Sequence, residues 1–169
     1  LTGNVNDDPP MIRLLGSGPI MKNVISASED LNGRGITTEI WSITSYGELR
    51  REGLEFERIK RFDPKHEGVP YVEACFGDGV PTVAASDYIA AVPEMIQRWM
   101  KGEFLPLGTD GFGRSDTREE LRRFFEVDSD SIVLASISLL ERQGAIPPGS
   151  SASFAEEAGL SYERKDVTL

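Results

Sequence analysis

The sequence predicts an α/β fold whose first two strands lie parallel in one sheet. Residues 11–15 are a short apolar run that ends at a Gly-Ser-Gly turn, a pattern typical of a buried strand. An amphipathic stretch follows, and residues 37–44 are rich in the β-branched side chains that strands favour. A strand, a helix and a strand at this spacing form a βαβ unit, in which both strands point the same way.

The segment between these two strands is predicted to be one helix. Pro19 suits the first helical position, where a missing amide hydrogen costs nothing. Asn32-Gly33 and Gly35 end the helix. One face carries the side chains that we expect to pack on the sheet, namely Ile20, Val24, Ile25, Ser28 and Leu31.

The middle of the chain has a less regular pattern. Residues 46–68 are charged, and their apolar side chains recur without one clean period, which predicts short helical turns and a surface loop. Pro70 begins a helix or a strand that runs to Phe76, and Gly77-Asp78-Gly79 forms a turn. Residues 80–85 are predicted to be a third strand.

A second amphipathic helix and a fourth strand are predicted next. The apolar side chains at helical spacing are Tyr88, Ile89, Val92, Met95, Ile96 and Trp99. Because Pro93 lies inside this pattern, the helix begins near it or kinks there. Residues 103–107 form the fourth strand, which leads into a glycine-rich loop.

This loop, residues 107–119, is the most informative segment of the chain. It holds three glycines and two arginines and runs straight into another amphipathic helix. Glycines there allow a sharp turn or a close approach to a neighbouring backbone. The alternative is that exposed amides at the start of the helix face an anion or a partner. Asp116 and Glu119 are predicted to form the capping pair of that helix.

Two interpretations of the loop stay open. In the simpler one, the loop is a turn followed by a cap, and its arginines face solvent. In the functional one, it is an interface loop, and Arg114 and Arg118 reach carboxylates on another domain or subunit. Phe112, between two glycines, is exposed unless a partner covers it, which favours the interface. The candidate interface residues are Asp110, Phe112, Arg114, Ser115, Asp116 and Arg118.

Two further helices complete the predicted domain. Their inward-facing side chains are Leu121, Phe124 and Phe125 on the first, and Ile132, Val133, Ile137 and Leu140 on the second. Asp128 caps the second helix and Gly144 ends it. We expect residues 1–10 to be a flexible arm, 11–146 to be one domain, and 147–169 to be a mobile tail.

Composition excludes several classes of protein. The chain has 169 residues, of which 39% are apolar, so a disordered chain is excluded. Its net charge of −10 disfavours nucleic acid as a partner and is typical of a cytoplasmic protein, with docking onto a basic partner as the alternative. A single cysteine, Cys75, fits a reducing compartment. No apolar run is long enough to span a membrane. Because the first residue is not Met, we expect one domain of a longer protein.

The motifs that suggest chemistry are incomplete. Gly16-Ser17-Gly18 lacks the third glycine of a dinucleotide fingerprint, since Met21 stands there. Gly77-Asp78-Gly79 matches half of a thiamine diphosphate and magnesium motif, but the last asparagine of the chain, Asn32, lies upstream of it. His66 has neither a serine to activate nor a second metal ligand nearby. We therefore predict no catalytic, cofactor-binding or metal-binding residue in this chain.

Six segments of the chain carry a family resemblance, namely residues 14–18, 41–46, 48–54, 70–72, 85–88 and 107–127. The last of them includes the string Gly-Thr-Asp-Gly-Phe-Gly-Arg-Ser-Asp-Thr-Arg. Through these segments, over about residues 11–146, the chain strongly resembles the C-terminal domain of the homodimeric type of pyruvate dehydrogenase. It implies a three-layer α/β fold, with a mostly parallel mixed sheet of about five strands and helices on both faces.

The resemblance also implies a function for the whole enzyme. That enzyme would decarboxylate pyruvate with thiamine diphosphate and magnesium and pass the acyl unit to a lipoyl group. Its catalytic residues would lie in the N-terminal and middle domains, so this fragment alone is predicted to be inactive. The implied partners are those two domains, a second subunit of a homodimer, and the dihydrolipoyl acetyltransferase core. The alternatives are an enzyme for another 2-oxo acid, or a free-standing module that binds an anion or a nucleotide with loop 108–116.

Overall fold

The computed structural model describes residues 9–111 and 115–163, which form one sheet between two layers of helices. The four strands in the described ranges are β1 (Met11–Gly16), β2 (Thr37–Ser42), β3 (Thr82–Ala85) and β4 (Phe104–Leu107). Their order is β2-β1-β3-β4, and all three pairings are parallel. The α/β class and the parallel βαβ unit are confirmed. The described sheet has four strands, all parallel, where the resemblance implied about five in a mixed sheet.

The helices follow the strands in an alternating order. They are α1 (Met21–Gly33), α2 (Tyr46–Phe62), α3 (Tyr71–Phe76), α4 (Ala91–Glu94), α5 (Arg118–Phe124), α6 (Ser129–Arg142) and α7 (Ser150–Glu157). One 3₁₀ turn precedes α1 and another follows α4. No helix in the described part of the chain is both long enough and apolar enough to cross a bilayer.

Alternating side chains of the strands pack into two separate hydrophobic cores, one on each face of the sheet. Ile12 and Leu14 of β1 pack with α1, α6 and α7 on one face of the sheet. Leu15 packs with residues of α2, α3 and the turn after α4 on the other face. This burial on both faces explains why the side chains of β1 are apolar except for Arg13. The predicted helical face of α1 is correct except at Ile25, which is 46% exposed.

The prediction for residues 46–68 was wrong, because α2 is one continuous helix of 17 residues. Ser45 caps it by accepting a hydrogen bond from the Glu48 amide at 3.2 Å. Gly53 permits a close approach, since a Cβ there would lie 2.5 Å from the Trp99 ring. Most other side chains of α2 stay in solvent, so its apolar stripe is too narrow for a clear period.

The predicted helix over residues 88–99 was also wrong in its extent. Regular helix covers only the four residues of α4, followed by the 3₁₀ turn Gln97–Trp99. Ile96 and Trp99 are buried as predicted, but Tyr88, Ile89 and Met95 are exposed. Pro93 lies in the first turn, where its missing amide hydrogen breaks no helical bond, so the expectation that the helix begins near it is confirmed.

The C-terminal part of the described chain is folded. Asp128 caps α6 through the Ser131 amide at 3.0 Å, as predicted. Residues 150–157 correct the expectation of a mobile tail, because they form α7, whose Phe154 is buried against the core. Glu141 of α6 accepts hydrogen bonds from the amides of Gly149 and Ser151 at 2.6 and 2.8 Å. Residues 1–8 and 164–169 lie outside the described ranges, and the proposed domain boundaries stay a prediction.

Candidate functional site at the carboxyl edge of the sheet

The topology brings three connecting loops to one edge of the sheet. Because the strands are parallel, the segments after β1, β3 and β4 all leave at the same side. The chain moves from β1 to β2 on one side and later to β3 on the other. Ligands and partners of parallel α/β sheets usually bind outside the carboxyl ends near such a reversal. This edge therefore contains the candidate site.

Loop 108–111, after β4, lies directly against the segment that follows β3. A Cβ on Gly108 would stand 2.2 Å from the Ala90 nitrogen and 2.6 Å from its Cα, so no larger residue fits without movement. The Thr109 amide donates to the Tyr88 carbonyl at 2.9 Å, and the Thr109 hydroxyl donates to the Asp87 carbonyl at 2.9 Å. The predicted close approach of the glycine loop to a neighbouring backbone is confirmed at Gly108.

Asp110 holds the same segment from the other side. Both of its carboxylate oxygens lie 3.3 Å from the Ala90 amide, which donates to them. Ala90 immediately precedes α4, so the acceptor stands at the N-terminus of that short helix. Asp110 was predicted as an interface residue. Within the described chain it positions residues 88–90.

Arg122 is the buried ion of this edge, and the sequence interpretation missed it. Arginines in an amphipathic helix are usually solvated, but Arg122 is only 8% exposed. Its Nε and Nη2 donate to the two carboxylate oxygens of Asp87 at 3.1 and 2.8 Å. Its Nη1 donates to Asn23 Oδ1 at 2.8 Å. One planar guanidinium thus ties α5 to the end of β3 and to α1.

A small cavity lies between this ion pair and loop 108–111. Its volume is about 270 Å³, and its lining includes Asp87, Thr109, Arg118 and Arg122. Arg118 is exposed at this cavity and forms no ion pair within the described residues. It also lines a wider cleft of about 570 Å³, together with Lys22 and Arg123. Among the described residues that line the small cavity, Arg118 therefore has no ion-pair partner, while Asp87 and Arg122 neutralise each other.

The other predicted interface residues have weaker roles in the structure. Ser115 and Asp116 are exposed and border a surface groove next to α5. Asp116 accepts from the Thr117 amide at 2.7 Å, but the helix cap is Thr117, whose Oγ1 accepts from the Glu120 amide at 3.3 Å. The predicted capping pair was therefore one residue early. Phe112 and Arg114 lie outside the described residues, and their contacts stay predictions.

The start of α5 is a poor anion site in this chain. Glu119 and Glu120 occupy its first turn, and their negative charges oppose an incoming anion. The Glu120 amide, one of those in the first turn of α5, already donates its hydrogen bond to Thr117. A partner with its own basic group, or an apolar partner, suits this surface better than a phosphate.

At the opposite edge, Asp78 also belongs to a structural ion pair. Arg13 of β1 is 1% exposed, and its Nη1 and Nη2 donate to Asp78 at 3.0 and 2.6 Å. Its Nε donates to Glu39 at 2.5 Å, across the strand pair. The Arg13 guanidinium lowers the pKa of the Asp78 carboxyl. The interpretation of residues 77–79 as a turn is confirmed, and Asp78 is already bound.

These residues do not fit a magnesium–diphosphate site. Asp78, the acidic residue of the half-motif, is bonded to Arg13 rather than left open for a cation. In residues 9–111 and 115–163, no group of three or more His, Cys, Asp or Glu side chains could hold a metal ion. His66 lies beside the Phe56 ring at 5.2 Å between centroids. In the described chain, Asp78 is thus held by Arg13, and His66 packs against an aromatic ring.

Comparisons with known proteins agree with the fold. A family model for the transketolase-like TK C-terminal domain matches residues 3–128. A split-gene transketolase, described as an inactive β4 tetramer, superposes with a TM-score of 0.50 at 14% identity. The superposition covers 82% of this chain and 41% of that one, and at this identity it supports the fold alone.

Three similar proteins are bacterial pyruvate dehydrogenase E1 components. The pyruvate dehydrogenase E1 component of Pseudomonas aeruginosa is 42% identical over 159 residues, which are 92% of this chain and 18% of that protein. The component from Mycolicibacterium smegmatis is 39% identical over 92% of this chain and 17% of its own length. The component from Escherichia coli K12 is 39% identical over 80% of this chain and 15% of its own. The chain thus spans less than a fifth of the relatives that it matches.

Proposed function

Because the chain belongs to the family of transketolase-like TK C-terminal domains, we propose that it is the C-terminal, non-catalytic assembly domain of a pyruvate dehydrogenase E1 component. The identity of about 40% to several such components over most of the chain supports this assignment. In the whole enzyme, thiamine diphosphate and magnesium would supply the chemistry that decarboxylates pyruvate, and the acetyl group would pass to a lipoyl group.

One observation carries the proposal that this domain supports rather than catalyses. The two most buried arginines among the described residues, Arg13 and Arg122, each bind an aspartate through two nitrogens. These Arg–Asp ion pairs fix the ends of strands and hold loops in place. Because the paired side chains bind each other, they are not free to exchange protons with a substrate. We infer that the reactive residues belong to the N-terminal and middle domains of a longer polypeptide.

The proposed partners follow from this role. They are the preceding domains of the same polypeptide, a second subunit of a homodimer, and the dihydrolipoyl acetyltransferase core. The proposed compartment is the cytoplasm. Loop 108–111 and Arg118, at the carboxyl edge, are the proposed points of contact in the described chain.

Three proteins test the proposal when they are assayed side by side. They are the full-length parent enzyme, the parent enzyme from which the segment corresponding to this chain has been removed, and the isolated chain. We expect pyruvate decarboxylation by the first alone, dependent on thiamine diphosphate and magnesium. Calorimetric titration of the isolated chain with thiamine diphosphate should give no heat of binding. Tight binding by the isolated chain, or full activity without it, would contradict the proposal. Rates with 2-oxobutyrate and pyruvate, compared on the full-length enzyme, decide between the two substrates.

A second candidate function, anion binding by the isolated chain, rests on Arg118 alone, because Glu119 and Glu120 beside it oppose an anion. Its guanidinium has no ion-pair partner among the described residues and borders two cavities. A thermal shift series with phosphate and nucleotides tests it, with Arg118→Ala and Arg50→Ala as the matched pair of exposed arginines. A ligand-induced rise in the melting temperature that disappears only in Arg118→Ala would favour this function. No shift with any anion would exclude it.

A further inference from the structure

We propose that Tyr88 and Ile89 are the contact residues through which this domain packs against the rest of its parent polypeptide. The proposal rests on the proposed function, and it names a partner surface for the carboxyl edge. The two side chains, here called the edge pair, were expected to be part of a buried helical face. Instead, Tyr88 is 67% exposed and Ile89 is 50% exposed. Adjacent exposed apolar side chains form a surface that a partner can cover.

The backbone that carries the edge pair is held rigidly. The Tyr88 amide donates to Ser86 Oγ at 3.0 Å, and Ser86 is fully buried. The Tyr88 carbonyl accepts from the Thr109 amide at 2.9 Å, and the Ala90 amide donates to Asp110. Backbone bonds therefore fix the segment on both sides of the exposed side chains.

This rigidity has a physical use in binding. A contact residue on an ordered backbone loses little conformational entropy when a partner covers it, so more of the burial free energy is left for association. Gly108 adds to the order, because its missing side chain lets loop 108–111 press against Ala90. In the isolated chain the same order exposes two apolar side chains to water, which opposes stability and solubility. A contact partner explains why both features occur together.

The length of the relatives supports the rest of the parent polypeptide as the occupant. The chain aligns with only 15–18% of the length of its relatives, so the remaining part is several times larger. A domain joined to so large a remainder loses a substantial part of its surface to that contact. The edge pair lies at the carboxyl edge, where the loops of a parallel sheet offer a rigid surface. A second copy of the chain is the competing occupant, and the experiment below separates the two.

Hydroxyl-radical footprinting provides the test, because it reads side-chain exposure residue by residue. The isolated chain and the full-length parent enzyme are labelled under the same conditions. Tyr71, which is 58% exposed at the start of α3, is the matched control for Tyr88. We expect labelling of Tyr88 to fall by about tenfold in the full-length enzyme, as for a residue at the centre of a contact, while Tyr71 changes little. Equal labelling of Tyr88 in both proteins would overturn the proposal.

A concentration series distinguishes the competing occupant. If labelling of Tyr88 in the isolated chain falls as its concentration rises, a second copy covers the edge pair, and the proposal is wrong. A double variant, Tyr88→Ala with Ile89→Ser, supplies a second readout in the full-length enzyme. We expect a protease to release this domain about tenfold faster from the variant, and at the unchanged rate from the control Phe62→Ser. Unchanged release from the double variant would contradict the proposal.

The two proposals fail in different ways. If the full-length enzyme does not decarboxylate pyruvate but Tyr88 is protected, the function is wrong and the contact stands. If it decarboxylates pyruvate and Tyr88 is labelled as in the isolated chain, the contact alone is wrong. The melting temperature of the isolated double variant checks its fold, which we expect to be intact because both side chains are exposed.

Discussion

The two ends of β3 are fixed by the same device, but with different consequences. Before the strand, Arg13 binds Asp78, and after the strand, Arg122 binds Asp87, each through two nitrogens. The Arg13 network is purely internal: it joins β1, β2 and a turn, and the guanidinium lies 5.2 Å from the Phe76 ring centre. The Arg122 network instead supports a segment whose next two side chains are exposed. An Arg–Asp ion pair thus stabilises the fold at one edge of the sheet, and a second Arg–Asp ion pair supports an exposed surface at the other edge.

The largest expected effect comes from Arg13→Ala. This change leaves Glu39 and Asp78 without their common cation, so we expect a loss of about 3 kcal/mol in the free energy of unfolding. Urea denaturation at neutral pH measures it. Arg51→Ala is the control, because its ion pair with Glu48 is exposed, and we expect a change below about 0.5 kcal/mol. An equal effect of both substitutions would contradict the distinction between the buried and exposed pairs.

Gly108→Ala tests the close contact behind the edge pair. The new Cβ would lie 2.2 Å from a backbone nitrogen, so loop 108–111 must move away from Ala90. We expect a loss of up to about 3 kcal/mol in unfolding free energy, together with faster hydrogen exchange at Thr109 and Ala90. Gly33→Ala is the control, since no atom lies within 4 Å of its Cβ position. A neutral Gly108→Ala would show that the loop is free to shift.

Arg122→Ala and Arg123→Ala sharpen the comparison within one helix. The first removes three hydrogen bonds and leaves Asp87 unpaired, so we expect a loss of about 2 kcal/mol in unfolding free energy. The second changes an exposed side chain, and we expect less than about 0.5 kcal/mol. If Arg122→Ala also increases radical labelling of the residues next to Tyr88, the Arg122–Asp87 ion pair supports this surface segment as well as the fold.

Acid should weaken the Arg13 edge. The folded-state pKa of Asp78 lies below its unfolded value because Arg13 donates hydrogen bonds to it. The stabilisation is therefore fully present above the unfolded pKa of about 4 and is lost as the pH falls through the lower folded value. Urea midpoints measured from pH 7 to pH 3 should fall more steeply for the parent chain than for Asp78→Asn. Identical slopes would show that this pair does not contribute to the acid dependence.

The smallest expected effect is that of Asp110→Ala. Its two contacts with the Ala90 amide are long, so we expect a loss below about 1 kcal/mol in unfolding free energy. Hydrogen exchange at Ala90 should accelerate more than exchange in β1, because the change is local. Asp116→Ala is the control, since Asp116 bonds only to the adjacent Thr117 amide in the described structure. Unchanged exchange at Ala90 would remove Asp110 from the positioning role.

Local pattern was sufficient wherever the interaction partner lies nearby in the chain. The apolar run of β1, the cap by Asp128 and the end of α6 before Gly144 all depend on neighbours within a few residues, and all are confirmed. The parallel βαβ unit is also confirmed, because a short helical connection leaves few ways to pair two strands. The close backbone approach predicted for the candidate loop is confirmed at Gly108, while the interface role of the loop stays a prediction.

The failures involve partners that are distant in sequence. Arg122 is buried beside Asp87, which stands 35 positions earlier in the chain. Arg13 is buried beside Asp78, which stands 65 positions later. Neither spacing leaves a periodic signal, and an arginine within an amphipathic helix is usually in solvent. Similarly, the spacing of residues 88–99 is helical, but Asp110 and Gly108 hold the first part of that segment as a loop.

The sequence by itself determined the α/β class, the parallel pairing of the first strands, most strand positions and the close backbone approach of the glycine loop. Those properties follow from side-chain periodicity and backbone preferences, which act over a few residues. Only the tertiary structure decided that Arg122 is buried, that α2 is continuous, and that Tyr88 and Ile89 face outward. Burial is a property of the whole packed chain, because it depends on which distant atoms arrive to exclude water.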